Sequence, residues 1–202
     1  MIQRTRWSAA RAAMIAVGVV LAAAATPAMA QVDGDGEREG NFELFVLGQY
    51  SSSDTIDVSG IDFEYEDNFS GGIGIGINPS DNLNVNLTLL IGQATASVDL
   101  GVFGEFEDDA TFISPELNLD WNILDRSFTP FVTAGIGAMI FTGFDDIDDT
   151  TEFTYGGGGG IRWDFAENAF LKVWYRAKWF DVDDADDSIL THTANISIGW
   201  MR

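Results

Sequence analysis

The feature that most constrains this chain is an alternation of apolar and polar residues that recurs in eight segments after Asn41. In residues 83–92, for example, Leu, Val and Ile alternate with Asn and Thr. A period of two residues is typical of β-strands, whose side chains point in turn to the two faces of a sheet. Turn-forming residues separate the segments, so the sequence predicts an all-β fold of eight antiparallel strands. The predicted strands are 42–51, 69–78, 83–92, 111–122, 129–141, 154–165, 170–180 and 190–200.

Two architectures fit this alternation equally well. One is a water-soluble sandwich or barrel whose apolar faces form a core. The other is a membrane barrel turned inside out, with its apolar faces toward lipid. Periodicity alone does not separate them, because the charged residues of the polar faces would be stable in water. Three further features favour the membrane barrel.

The connections between the segments alternate strictly in length. The turns N-P-S-D at 78–81, N-I-L-D-R-S at 122–127 and A-E-N at 166–168 are tight. The other four, 52–68, 94–110, 142–153 and 181–188, are long. Short periplasmic turns and long outer loops are typical of outer-membrane barrels.

Aromatic residues gather at the ends of the predicted strands, as expected for two girdles at the depth of the membrane interfaces. Six of them fall at the short-turn end and two at the long-loop end. The predicted girdle consists of Phe42, Trp121, Trp163, Phe165, Phe170 and Trp200 at the short turns, and Tyr50 and Trp179 at the long loops.

The first thirty residues have the pattern of a secretory signal peptide. Arg4, Arg6 and Arg11 precede an apolar run over 12–25, and Ala28-Met29-Ala30 supplies small residues for cleavage after Ala30. The apolar run is short of the roughly 20 residues that a spanning helix needs. We therefore expect a leader at 1–30, a short periplasmic segment at 31–41 and an outer-membrane barrel at 42–202. Without cysteine, the exported chain forms no disulfide and carries no lipid on a thiol.

The chain resembles the small outer-membrane β-barrel family, which includes OmpA-type and porin-like eight-stranded barrels. The similarity is carried by S-F-T-P-F-V-T-A-G-I-G-A at 127–138, G-G-G-G-I-R-W-D-F-A-E-N at 157–168 and F-L-K-V-W-Y-R at 170–176. It implies an up-and-down meander in the bacterial outer membrane, without the peptidoglycan-binding domain of larger OmpA relatives. One departure is that Trp200 is followed by Met201-Arg202, whereas such barrels usually finish on an aromatic residue.

The polar faces predict a charged interior with four acids and four bases. Buried charges persist when they are paired, so this balance predicts an ion-pair network, with Glu116 meeting Arg176 near the middle of the barrel. Two interpretations stay open: a polar plug, which an interior this narrow favours, or a narrow gated path. Inward glycines such as Gly74 and Gly160 fit both. The predicted network consists of Glu43, Glu116, Asp120, Asp164, Arg162, Lys172, Arg176 and Lys178.

The long connections hold 21 of the 32 acidic residues and no Lys or Arg. This balance argues against nucleic acid as a partner. Neither of the richest stretches, 144–149 and 181–187, has the spacing of a calcium-binding loop, so we expect a solvated acidic rim and no metal or cofactor. The expected partners are outer-membrane lipids, lipopolysaccharide and the outer-membrane assembly machinery, and the expected state is a monomer.

The sequence offers no readable pair of nucleophile and base. His192 is the one histidine; Ser188 lies in a predicted loop, and the same-face neighbour of His192 is Ala194. We therefore predict that the chain is not an enzyme, and a lipid-modifying barrel is the weaker alternative. The predicted role is structural, supporting the envelope and its surface, with a narrow porin-like channel as the alternative.

Overall fold

The computed structural model describes residues 37–52, 55–58, 61–65, 67–99, 105–142, 150–181 and 188–202. Within these ranges the chain forms one antiparallel sheet without helices, as predicted. The predicted leader at 1–30 lies outside the described residues. The strands are β1 (Phe42–Ser52), β2 (Thr55–Val58), β3 (Ile61–Tyr65), β4 (Asn68–Ser80), β5 (Leu83–Asp99), β6 (Glu105–Asn122), β7 (Phe128–Thr142), β8 (Thr150–Ala166), β9 (Ala169–Asp181) and β10 (Ser188–Met201).

Eight of these strands close into a barrel with meander topology. From β4 through β10 each strand pairs with its predecessor in the barrel, and β1 pairs with both β4 and β10. In the closing pair, Leu44 lies opposite Trp200. Closure pairs the backbone all round the wall, as a structure surrounded by lipid requires.

The other two strands, β2 and β3, lie in the first long connection, which the sequence analysis treats as a loop. They form a hairpin, and β3 pairs with the outer part of β5, with Phe63 opposite Val98. Strands β5 and β6 themselves run on to Asp99 and from Glu105, well beyond their predicted ends. The sheet therefore continues past the barrel on its long-loop side.

The barrel is polar inside and apolar outside. On β1, Glu43 is fully buried whereas the next residue, Leu44, is 50% exposed, and the alternation continues along the strand. On β4, Ile73 and Ile75 likewise face outward. This distribution excludes the soluble sandwich with an apolar core, because the exposed side chains are the apolar ones. Within the ranges given above, no helix has the length and apolar character needed to cross a membrane.

A turn before β1 brings the start of the described chain back to the short-turn end. The N–H of Asn41 donates to the carbonyl of Arg38 at 2.9 Å, and Gly40 between them has φ +82°. A positive φ at this position, as in a type II turn, is readily adopted only by glycine. Beyond the turn, Phe42 and Arg202 exchange two backbone hydrogen bonds of 2.7 and 2.9 Å.

Candidate functional site: the charged barrel interior

The polar side chains that point inward form two ion-paired clusters at different heights. We call them the short-turn cluster and the outer cluster. All eight residues of the predicted network lie in them, together with Arg38. The short-turn cluster consists of Arg38, Glu43, Asp120, Arg162, Asp164 and Lys172, and the outer cluster of Glu116, Arg176 and Lys178.

Glu43 lies at the centre of the short-turn cluster. Its Oε1 accepts from Arg162 Nη1 at 2.6 Å, and its Oε2 lies 3.4 Å from Lys172 Nζ. Lys172 also reaches Asp120 at 3.0 Å, and Arg162 Nε donates to Asp164 at 2.7 Å. Each cation therefore bridges two carboxylates, which compensates the burial of these charges.

Three asparagines connect the carboxylates of this cluster. Asn78 donates to Glu43 at 3.0 Å, and Asn84 donates to Asn78 at 3.1 Å. Asn86 donates to Asn84 at 2.8 Å and to Asp120 at 3.1 Å. These residues are not among the predicted site residues, although Asn84 and Asn86 stand on the polar face of their strand.

Arg38 closes the short-turn end of the barrel and is also absent from the predicted network. Its side chain is fully buried, and its Nε donates to Asp164 at 2.7 Å. The same guanidinium donates to the backbone carbonyls of Asp81 at 3.1 Å, Leu124 at 3.5 Å and Arg126. One side chain thus joins the turns after β4 and β6 to the end of β8. With Arg38, the two clusters hold five cations and four carboxylates, which corrects the predicted balance of four and four.

Asp81 fixes the backbone that carries Arg38. Its Oδ1 accepts from the N–H groups of Arg38 at 2.7 Å and Glu39 at 2.9 Å. These two donors hold the pKa of the Asp81 carboxyl below its ordinary value, because they stabilise the charged form. The segment before β1 is therefore attached at both its backbone and its side chain.

Glu116 connects the two cations of the outer cluster. Its Oε2 accepts from Arg176 Nη1 at 2.7 Å, and its Oε1 accepts from Lys178 Nζ at 2.6 Å. Arg176 Nη1 also donates to Asn118 at 2.9 Å, and Ser114 donates to Glu116 at 3.3 Å. In contrast, no group in the described part of the chain accepts a hydrogen bond from Arg176 Nε or Nη2, both of which are buried.

Phe170 is not part of the outward aromatic girdle, and its predicted place there is wrong. Its ring is fully buried, with the Arg162 guanidinium 4.6 Å and the Lys172 ammonium 5.2 Å from the ring centre. The physical reason is strand parity, since residues two apart share a face and Lys172 points inward. Phe45 packs edge-on against the same ring at 6.0 Å. Phe170 therefore stabilises the short-turn cluster by cation–π contact.

The other predicted girdle residues are exposed or half-buried on the outer face. Among the pairs they make, Trp179 stacks on Tyr155 at 5.9 Å, and Tyr50 packs against Phe69 at 5.0 Å. The exposed members at the short turns are Phe42, Trp121, Trp163, Phe165 and Trp200, and the half-buried members near the long loops are Tyr50 and Trp179.

Side chains fill the space beside the inward glycines. A Cβ on Gly74 would lie 2.2 Å from the Phe45 ring, and one on Gly160 would lie 2.4 Å from Trp174 Cβ. These glycines therefore make room for large neighbours. Between the clusters is an interior cavity of about 20 Å³, whose lining includes Arg176. A volume of this size holds about one water molecule.

His192 lies on the outer face of β10. Its ring stacks on Tyr175 at 5.9 Å, and its Nδ1 shares a hydrogen bond of 2.5 Å with the Tyr175 hydroxyl. The neighbour that the fold gives to His192 is thus an aromatic side chain of the adjacent strand.

The acidic stretches of the long loops fall mainly at 144–149 and 182–187, which lie outside the described residues. Among the residues that the structure does describe, no group of three or more His, Cys, Asp and Glu side chains is placed to hold a metal ion.

The chain matches the family model described as outer membrane protein beta-barrel domain over residues 16–201. Three solved structures share the fold. OprG from Pseudomonas aeruginosa has a TM-score of 0.60 and 14% identity, with 84% of this chain and 99% of that chain covered. Neisserial surface protein A has a TM-score of 0.56 and 12% identity, with coverages of 80% and 99%.

The third is the N-terminal β-barrel domain of Pseudomonas aeruginosa OprF, with a TM-score of 0.50, 14% identity and coverages of 81% and 98%. No curated protein matches the chain. At these identities the solved structures show the fold alone.

Proposed function

Because this chain belongs to the outer membrane protein β-barrel domain family, we propose that it is a structural component of the bacterial outer membrane. In this role the barrel is a closed body held together by its polar interior, and the acidic long loops form its outer surface. The alternative of a narrow porin-like channel requires a continuous path through the same interior.

The small size of the interior cavity carries this proposal. At about 20 Å³, it has room for about one water molecule. Both ion-paired clusters cross the lumen: Glu43 of β1 pairs with Arg162 of β8, and Glu116 of β6 pairs with Arg176 of β9. A hydrated ion would have to separate such pairs to pass, at the cost of leaving buried charges uncompensated.

The attachment of Arg38 at the short-turn end, which we place on the periplasmic side, also supports a closed barrel. Its guanidinium occupies the mouth between the turns after β4 and β6. The contacts of Gly74 with Phe45 and of Gly160 with Trp174 favour packing over an open path.

We further propose that the barrel acts without catalysis, as a monomer exported by its leader and inserted by the outer-membrane assembly machinery, with lipids and lipopolysaccharide around its apolar face. Exposed Leu44, Ile73 and Ile75 support the contact with lipid. The stacking of His192 on Tyr175 supports a packing role for the single histidine.

Conductance across a planar lipid bilayer tests the closed-barrel proposal. The protein is purified from the outer membranes of an expressing bacterium, and its folding is verified by heat-dependent gel migration. We expect an electrically silent protein under conditions in which a conducting porin prepared in the same way gives discrete steps.

Discrete steps from the native chain would overturn the proposal, above all if neutralising Glu116 or Arg176 enlarged them. Arg126→Gln provides a matched control, because Arg126 is exposed in a short turn and lies outside both clusters.

A further inference from the structure

We propose that the outer cluster holds one small monatomic anion, of the size of chloride, against the free edge of Arg176. The site does not depend on whether the barrel conducts. It follows from three observations on the interior: an unpaired guanidinium edge, a local excess of positive charge, and a cavity of matching size.

The first observation is the hydrogen bonding of Arg176. Its Nη1 is occupied by Glu116 and Asn118. Its Nε and Nη2, which form the opposite, fork-shaped edge of the guanidinium, have no acceptor among the described residues, although the side chain is only 6% exposed. Leaving charged donors buried without an acceptor is costly. The edge is therefore ready to bind an acceptor that is not part of the protein.

The wall beside this edge explains why the protein supplies no acceptor. A Cβ on Gly135 would lie 2.9 Å from Nη2, and a Cβ on Gly156 would lie 3.0 Å from Nε. These two glycines are directly opposite each other on β7 and β8. Because neither has a side chain, the edge of Arg176 passes along bare backbone.

The second observation is the charge of each cluster. In the short-turn cluster, three cations face three carboxylates. In the outer cluster, Arg176 and Lys178 share the single carboxylate of Glu116. Glu152, the next acid on the inward face of β8, lies four residues beyond Gly156, about 13 Å along the strand, and is partly exposed at the outer mouth.

The excess positive charge thus coincides with the free edge of Arg176. A water molecule would supply an acceptor but would not compensate this charge, whereas an anion does both.

The third observation is the cavity. Arg176 and Ser197 both line it, and the Ser197 hydroxyl is also buried without a partner in the described chain. Its volume of about 20 Å³ suits one particle of the size of water or a halide ion. Phosphate, sulfate and organic carboxylates are too large. The chemistry therefore specifies a halide.

Bromide, which can be located by anomalous X-ray scattering, is the probe. The protein is purified from outer membranes, refolded in sodium bromide and crystallised. We expect an anomalous peak within hydrogen-bond distance of Arg176 Nε and Nη2. The peak should vanish in Arg176→Gln and persist in Lys172→Gln, which removes a cation that lines the same cavity but belongs to the short-turn cluster. Density for a water molecule without an anomalous signal in the native protein would overturn the proposal.

Thermal unfolding gives an independent measurement. At equal ionic strength, bromide should raise the midpoint temperature by about 3 °C relative to gluconate, an anion too large for the cavity. Lys178→Gln, which makes the outer cluster neutral while keeping the edge of Arg176, should abolish this difference. Equal midpoints of the native protein in the two salts would contradict the site, even if every variant failed to fold.

Discussion

Arg38 and Asp164, 126 residues apart in the chain, form an ion pair of 2.7 Å at the short-turn end of the barrel. Asp164 is shared, since Arg162 of the same strand donates to its other oxygen at 2.7 Å. The pair therefore connects the segment before β1 to the cluster that fills this end.

Replacing Arg38 by Ala should lower the free energy of unfolding by about 3 kcal/mol. The substitution removes a buried cation from Asp164 and leaves the carbonyls of Asp81 and Leu124 without their donor. Urea unfolding in lipid vesicles, followed by tryptophan fluorescence, measures the change. The exposed Arg126→Gln serves as the control and should change stability by less than about 0.5 kcal/mol. Equal effects of the two substitutions would show that Arg38 is not held as described.

Phe170→Ala should destabilise the barrel by about 3–5 kcal/mol, the range for removing a buried aromatic ring. The ring packs against Phe45 and lies beneath the cations of Arg162 and Lys172. Phe165→Ala is the matched control, because that ring is exposed on the outer face at the same end of the barrel. We expect about 1 kcal/mol or less for this control in the same unfolding measurement. A larger loss for Phe165 than for Phe170 would restore Phe170 to the girdle.

Gly74→Ala should cost about 1–3 kcal/mol through overpacking, because the new methyl group would lie 2.2 Å from the Phe45 ring. Gly71→Ala, on the same strand, places its Cβ 3.8 Å from the carbonyl of Leu47 and should be nearly neutral. Combining Gly74→Ala with Phe45→Leu should recover part of the loss, since the ring is the obstacle. Chemical unfolding of the three variants checks this order, and a lack of recovery in the double variant would count against it.

The attachment of the segment before β1 should weaken in acid. The pKa of Asp81 is lowered in the folded protein by the N–H groups of Arg38 and Glu39. A lowered folded-state pKa means that its contribution is complete above the ordinary carboxyl pKa and is lost as the pH falls through the lowered value. Hydrogen exchange of the amides of Arg38 and Glu39, measured against pH, should show their protection falling in that range.

The variant Asp81→Asn is the control for this pH dependence. It should show weak protection of the two amides at neutral pH and no further loss in acid. A native protein whose protection stayed constant down to the lowest pH at which the barrel is folded would contradict the assignment.

The sequence predicts the barrel strands and the direction of most side chains, because each strand is one continuous run of alternation. It misses β2 and β3 for a physical reason. Ile56 and Val58, and then Ile61 and Phe63, do alternate with polar residues, but the runs are too short to cross a membrane. They form strands by extending the sheet beyond the barrel, and the length expected of a spanning strand does not reveal this.

The interior charges of the strands follow from the same alternation, whereas Arg38 does not. It stands before the first strand, where no periodicity fixes the direction of a side chain, and only the turn at Gly40 brings it to the barrel mouth. Phe170 shows the opposite problem. Its place at a strand end suggests a girdle residue, but its parity with Lys172 decides that it points inward.

The hydrogen bonds between Phe42 and Arg202 have a consequence for the order in which the barrel is made. Seven of the eight strand pairs in the wall join strands that are successive in the meander, so they form by local zipping. The eighth joins β1 to β10 and encloses the whole barrel sequence, which gives it the largest loss of chain entropy on closure. Closing the wall is therefore the slow, cooperative step. Until β10 arrives, the growing sheet has two open edges that must be shielded from other chains.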